Sequence, residues 1–269
     1  MELEPGTSDR TIEPLPVADA QTSAGPAAGQ WKAVISLGSS CAIAYHLHRK
    51  GLAGRTGPLD WYGSRNSESL ARLLRTRFAS YMDRDAISVR GEHNGYWKVS
   101  DDVNSVFTLH DFPIAGRKPK PLWRPSTAER FRRVGDRLVE PAWRWLPSLF
   151  FPGPDGSKIP LPAFPEFRRR IARRVSRFVA TLEDPGPVLL IRRAREEHEA
   201  RTLLNALLDV RGRLPTTLLV LGPEEPFARD WGVRGLRTAA MPPEDPTVPD
   251  DWRGRAGDWD RLFEGCQVE

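Results

Sequence analysis

Cys41 is the residue with the clearest capacity for chemistry, because it follows the Gly-Ser-Ser turn of residues 38–40 where a predicted strand gives way to a predicted helix. A helix N-terminus presents free backbone N–H groups and a partial positive charge, which favour the nucleophilic thiolate. The N–H groups around Ser40 and Cys41, with Ser39 beside them, also suit the stabilisation of an oxyanion. A packed, inert thiol is the alternative, since free cysteine is among the most buried residue types.

A cysteine nucleophile needs a base, and the sequence has five histidines: His46, His48, His93, His110 and His198. His46 and His48 share the predicted helix of Cys41 but lie about 7 and 10 Å further along its axis. His110 ends an apolar strand on a different element, so we predict that it is the general base. The competing interpretation of His110 is a structural hydrogen-bonding group at a strand end.

Two aspartates are candidates for orienting the His110 imidazole. Asp111 is adjacent in sequence, but successive residues of a strand point to opposite faces. Asp60 lies in a predicted loop between Cys41 and His110. The sequence leaves the choice between the two carboxylates open.

The elements that must position these groups follow from the hydrophobic pattern. Residues 31–37 form a short apolar run typical of a buried strand, and helical spacing begins at Cys41 and stops at Gly51. A loop over residues 54–66 and a helix over residues 67–78 come next. Residues 106–109 predict a strand leading into His110, and Asn94-Gly95 suggests a hairpin.

The last third of the chain alternates amphipathic helices with uniformly apolar strands. Helices are predicted over residues 165–182 and 196–210, with strands over residues 188–191, 217–221 and 235–241. Strands that are apolar throughout are buried on both faces, which is typical of a parallel sheet covered by helices. We therefore predict an α/β fold in which a strand-turn-helix carries Cys41 and the C-terminal sheet is largely parallel. A short helix around residues 259–263 is expected near the end.

The domain organisation is predicted as an acidic, disordered leader over residues 1–30 and a single α/β domain over residues 31–269. The leader is rich in Pro, Ala, Gly and Ser and has five acids against one base. A Pro-rich cover segment is expected over residues 113–164, with a helix at 127–139. No run is apolar enough to span a bilayer, no secretory signal is evident, and two cysteines do not form a disulfide framework. These features predict a soluble protein of the reducing cytoplasm.

The formal charge of +5 and the pI of about 9.5 raise the question of an anionic partner. The basic residues concentrate on the predicted helix 165–182, as Arg168, Arg169, Arg170, Arg173, Arg174 and Arg177. A helix must present charges to water opposite its apolar stripe, so solvation explains them as well as phosphate binding does. Without an aromatic platform, a dinucleotide or Walker motif, or metal-ligand spacing, we predict no nucleic acid, no cofactor and no metal.

Four blocks of sequence resemble an uncharacterised bacterial family described as papain-like cysteine peptidases. The segment Val34 to Cys41, followed by Ala44 and Leu47, is similar to the family's Ile-Ser-Leu-Gly-x-Asn-Cys opening, with Ser40 where Asn is common. Pro58-Leu59-Asp60-Trp61 resembles Pro-Phe-Asp-Trp, with Leu59 for Phe, and Leu109-His110-Asp111-Phe112 resembles the family's His-Asp-Phe block. The helix with Arg168-Arg169-Arg170 and the strand Leu190-Ile191-Arg192 together resemble its later block, a basic helix followed by a strand. The likeness covers roughly residues 32–222.

The resemblance implies a cysteine peptidase or amidase with a peptide or amide substrate. It also implies a papain-like arrangement, in which the helix with the cysteine faces an antiparallel sheet with the histidine. The C-terminal pattern instead predicts a parallel, doubly wound sheet. We give priority to that local pattern and expect the thiol site on an α/β scaffold.

Two other functions remain open. Gly38-Ser39-Ser40 after a first strand is also similar to serine esterases of the SGNH type, in which Ser39 or Ser40 would attack. That mechanism needs a histidine late in the chain, and the last one is His198. A non-catalytic or glycosyltransferase-like protein could hold a ligand at the end of the strand 217–221, where Leu221 to Glu225 follow. The preferred hypothesis is a Cys41–His110 hydrolase or acyl transferase.

Overall fold

The computed structural model describes residues 25–64, 66–117, 149–223, 227–242 and 251–269. The strands are, in chain order, β1 (Gly29–Trp31), β2 (Ala33–Ser36), β3 (Tyr62–Ser64), β4 (Ile87–His93), β5 (Tyr96–Asp101), β6 (Val106–Thr108), β7 (Phe150–Pro152), β8 (Lys158–Pro160), β9 (Val188–Arg193), β10 (Thr216–Gly222), β11 (Leu236–Ala240) and β12 (Cys266–Val268). The α-helices are α1 (Cys41–Arg49), α2 (Ser67–Arg75), α3 (Phe164–Glu183), α4 (Glu197–Arg211) and α5 (Ala256–Leu262).

A parallel sheet of four strands, in the order β11-β10-β9-β2, confirms the predicted α/β class. Side chains alternate between the two faces of β9, and both faces are buried. Leu189 and Ile191 join a core with α1 and α5, whereas Val188 and Leu190 join a core with α2, α3 and α4. The uniformly apolar strands therefore arise because helices cover both sides of the sheet.

A second four-stranded sheet, in the order β3-β6-β5-β4, is antiparallel and holds the strand that leads to His110. The predicted hairpin at Asn94-Gly95 is confirmed: it joins β4 to β5, and both residues have positive φ. The edge strand β3 lies inside the segment predicted as a loop. The protein thus has both the parallel sheet indicated by the sequence pattern and the antiparallel sheet implied by the family resemblance.

The ends of the described chain pair with each other in the short parallel sheet of β1 and β12. Residues 25–30, the last part of the predicted leader, are held there by backbone hydrogen bonds such as Gly25 N–H to the Glu264 carbonyl. Residues 1–24 and the predicted helix at 127–139 lie outside the described residues. Among the helices that the structure describes, none combines the length and apolar character required to cross a membrane.

Candidate active site and adjoining crevice

The turn between β2 and α1 places Cys41 as the first residue of the helix. Gly38 and Ser39 both adopt left-handed backbone conformations, with φ of 75° and 73°. Ser40 is the N-cap, and its hydroxyl accepts a hydrogen bond from the Ala42 N–H at 3.1 Å. This sharp turn brings the chain from the end of a buried strand into a helix, as predicted. Cys41 is not disulfide-bonded, and it is partly buried at that N-terminus.

The neighbouring serine hydroxyls are occupied by backbone groups. The Ser39 hydroxyl accepts from the Arg193 N–H at 3.1 Å, which ties the turn to the end of β9. Ser40 is engaged in the helix cap. His198 is exposed and lies 3.1 Å from Glu196, at the start of α4. These contacts favour Cys41 over either serine as the nucleophile of this turn.

His110 lies just beyond β6, in a partly buried position. Its ring packs edge-on against Tyr96, and its backbone N–H donates to the Thr108 hydroxyl. Burial lowers the pKa of His110 from 6.5 to about 4, against the opposing effect of the Asp111 charge. The imidazole is therefore neutral at neutral pH. Its pairing with Cys41 stays a prediction.

The Asp111 carboxylate is buried and has three partners on three different elements. It forms an ion pair with Arg170 of α3 at 2.7 Å and accepts hydrogen bonds from the Tyr62 and Thr108 hydroxyls, at 2.8 and 2.6 Å. Burial alone would raise its pKa, but the arginine and these hydroxyls hold the pKa below the ordinary value. Asp111 thus fixes the segment that carries His110 to β3 and α3.

Asp60 is buried beside His48. The His48 Nε2 lies 3.9 Å from its carboxylate, and the Gly57 N–H donates to it at 2.7 Å. Burial raises the pKa of Asp60. Sequence reasoning set His48 aside because of its distance from Cys41, and it gave no reason to expect this pairing. Asp60 therefore has His48 as an imidazole neighbour, and its pairing with His110 stays a prediction.

The basic helix α3 makes more contacts within the protein than its sequence suggested. Arg168 binds the Tyr81 carbonyl and Asp83, Arg170 binds Asp111, and Arg177 donates to the Thr56 carbonyl. Arg169 and Arg173 are exposed and approach Glu166 on their own helix. The arginines of α3 therefore divide into a group that binds other parts of the protein and a group that faces the solvent.

A crevice of about 380 Å³ opens at the carboxyl edge of the parallel sheet, next to the turn that carries Cys41. Ser39 lines it after β2, Arg192 and Arg193 line it at the end of β9, and Gly222 lines it at the end of β10. Ligands of open α/β sheets bind at this edge. In the part of the chain that the structure describes, no cluster of three or more His, Cys, Asp or Glu side chains is placed to hold a metal ion.

Arg192 links this crevice to the two sheets. Its guanidinium donates to the Leu37 carbonyl after β2 and to both the hydroxyl and the carbonyl of Ser64 in β3. The side chain is only 2% exposed. Sequence reasoning counted Arg192 as part of a family block and missed its burial, because arginine is seldom fully buried.

Comparison with known proteins identifies the family. Residues 32–220, more than half of the chain, match the family described as "Putative papain-like cysteine peptidase (DUF1796)", and the chain belongs to this family. A stretch of 94 residues is 43% identical to "Uncharacterized protein R408" of Acanthamoeba polyphaga mimivirus. That stretch represents 29% of this chain and 42% of the viral protein, so the match spans less than half of the relative. No solved structure matches the chain.

Proposed function

We propose that this member of the papain-like cysteine peptidase family is a hydrolase of peptide or amide bonds with Cys41 as its nucleophile. The observation that supports this most is the position of Cys41 as the first residue of α1, directly after the left-handed turn at Ser39. A thiol there benefits from the helix dipole, and the N–H groups around Ser40 and Cys41 suit a tetrahedral oxyanion. A thiol nucleophile must stay reduced, which fits a cytoplasmic location.

His110 is proposed as the general base. The pKa of about 4 leaves its imidazole neutral at neutral pH, the form that accepts the proton of the Cys41 thiol. The thiolate attacks the carbonyl carbon, and the imidazolium then gives its proton to the leaving amine. Water attacks the resulting thioester with His110 again accepting a proton, and the carboxylic acid leaves as the thiol is restored.

Asp111 is the stronger of the two candidates for positioning His110. Its carboxylate is anchored by Arg170, Tyr62 and Thr108, so it holds the segment around His110 in place. Asp60 instead lies beside His48. We therefore propose that Asp111 acts on His110 through backbone placement and charge.

Turnover measurements with Cys41→Ser and Cys266→Ser test this function. The substrates are a panel of peptide and simple amide compounds with chromogenic leaving groups. Cys41→Ser should lower the turnover rate by a factor of about 10³ or more. Cys41 and His110 act as a unit, so replacing one of them disables both. Cys266→Ser, remote in β12, should keep it. Full turnover by Cys41→Ser would exclude the thiol mechanism.

A ligand-binding, glycosyltransferase-like protein is the second candidate. The observation in its favour is the crevice at the carboxyl edge of the parallel sheet, which does not include Cys41 in its lining. Under this alternative, Cys41→Ser and His110→Ala would leave ligand binding intact, and no amide substrate would turn over.

A further inference from the structure

Arg192 is a buried cation without a carboxylate partner among the described residues. Its three hydrogen bonds go to neutral oxygens of Leu37 and Ser64, and its Nε–H has no acceptor in the part of the chain that the structure describes. Burial lowers its pKa to about 10, and the Glu199 charge opposes this only in part. Buried charges are normally paired, because removing one from water is costly. The arrangement therefore calls for an anion.

The crevice beside Arg192 carries the positive charge needed to bind such an anion. Three arginines line it, Arg192, Arg193 and Arg195, against one carboxylate, Glu199. The Glu199 carboxylate accepts a hydrogen bond from the backbone N–H of Arg195 at 2.7 Å. The lining thus carries an excess of two positive charges, which matches a dianion.

Helix N-termini add to the same field. Ser67, the first residue of α2, lines the crevice, and so does Glu199 in the first turn of α4. Ser39 lines it two residues before α1 begins. N–H groups and helix dipoles at such ends favour anions, and phosphate groups above all. The size of about 380 Å³ falls in the range of small-molecule sites.

We propose that this crevice binds the phosphate group of a small phosphorylated molecule. Arg192 supplies a fixed positive charge, held in place by Leu37 and Ser64, and the more accessible Arg195 supplies a direct contact. A phosphate dianion offers enough acceptor oxygens for guanidinium and backbone donors together, whereas a carboxylate offers fewer. The site goes beyond the proposed hydrolase function and does not depend on the Cys41 thiol.

Calorimetric titration of the full chain with inorganic phosphate and pyrophosphate tests the proposal, with acetate as the carboxylate probe. Saturable binding of phosphate, weakened by salt, is expected. Arg195→Gln should raise Kd about tenfold, the effect of losing one charge-assisted contact. Arg169→Gln, an exposed arginine of α3 that contacts Glu166, is the matched control and should leave Kd unchanged.

Arg192→Met provides a second measurement through thermal unfolding. Phosphate should raise the unfolding midpoint of the wild-type protein, because a ligand that binds only the native state stabilises it. It should not raise the midpoint of Arg192→Met, and if that variant fails to fold, Arg195→Gln decides. Cys41→Ser should bind phosphate as the wild type does, which separates this site from the thiol chemistry. Absence of phosphate binding, equal binding of acetate, or an Arg195→Gln variant indistinguishable from Arg169→Gln would overturn the proposal.

Discussion

Replacing Arg170 by Gln should destabilise the protein, because it leaves the Asp111 carboxylate buried without its cation. The two groups lie 2.7 Å apart, and the Asp111 side chain is only 13% exposed. Removing one partner of a buried ion pair costs about 3–5 kcal/mol. The Tyr62 and Thr108 hydroxyls still bind the carboxylate and Arg170 is 28% exposed, so we expect a loss at or below the lower limit of that range, about 2–3 kcal/mol.

The matched control is Arg169→Gln on the same helix. The Arg169 side chain is 63% exposed and pairs with Glu166, so its loss should cost no more than about 0.5 kcal/mol. Urea unfolding at pH 7, followed by tryptophan fluorescence, gives both free energies. In thermal unfolding, a difference of about 2 kcal/mol corresponds to a shift of the melting temperature of about 4–8 °C in a protein of this size.

The pH dependence follows from the lowered pKa of Asp111. A carboxylate with a lowered pKa contributes stability above its ordinary pKa and loses it as the pH falls through the lowered value. The deficit of Arg170→Gln should therefore be complete at pH 7 and shrink in acid. Equal unfolding free energies for Arg170→Gln and Arg169→Gln would refute this reasoning. So would a double-mutant cycle with Asp111→Asn that shows no coupling.

The unfolding free energy should also fall as the pH is lowered from about 6.5 to 4.5. Burial lowers the pKa of both His46 and His110 to about 4, so the unfolded chain takes up protons in this range before the folded protein does. The raised pKa of Asp60 opposes this in part, and a flat urea-stability profile over that range would contradict the assignment. Gly38→Ala should destabilise by about 1–2 kcal/mol, since Gly38 is left-handed and an added Cβ would lie 3.1 Å from the Tyr62 carbonyl oxygen. The control is Gly257→Ala, which adds a methyl group in open space within α5 and should be neutral or stabilising. If Gly38→Ala were as stable as Gly257→Ala, the backbone strain inferred at Gly38 would be refuted.

Local patterns were sufficient to predict much of the parallel sheet and its helices. Residues 188–191 of β9 and 218–221 of β10 are apolar because helices cover both faces, and that burial is visible directly in the sequence. The hairpin at Asn94-Gly95 was predictable because both residues tolerate positive φ. The start of α1 at Cys41 followed from the turn residues before it.

Contacts between distant segments were not predictable from those patterns. β1 pairs with β12, which lies more than 230 residues further along the chain, and no local pattern indicated this contact. β3 is only three residues long and lies inside an apparent loop. Arg192 and Arg170 look like surface bases in the sequence, and only the fold shows the neutral oxygens and the carboxylate that they meet.

The catalytic roles of the candidate site residues stay predictions. The sequence indicated Cys41, His110 and Asp111, and the structure adds the buried cluster that fixes Asp111. The His48–Asp60 pairing could not be expected from the sequence, because that contact depends on how the loop after α1 packs against the helix.

The most direct test of the central claim is the pH dependence of alkylation at Cys41, read by mass spectrometry of the separate cysteine peptides. Cys266 is an internal reference, because burial raises its pKa to about 11. We expect fast modification of Cys41, with an apparent pKa well below the free-thiol value of about 8.5, and slower modification in His110→Ala. A Cys41 that reacts no faster than Cys266, or whose reactivity is unchanged in His110→Ala, would contradict the proposed nucleophile and base.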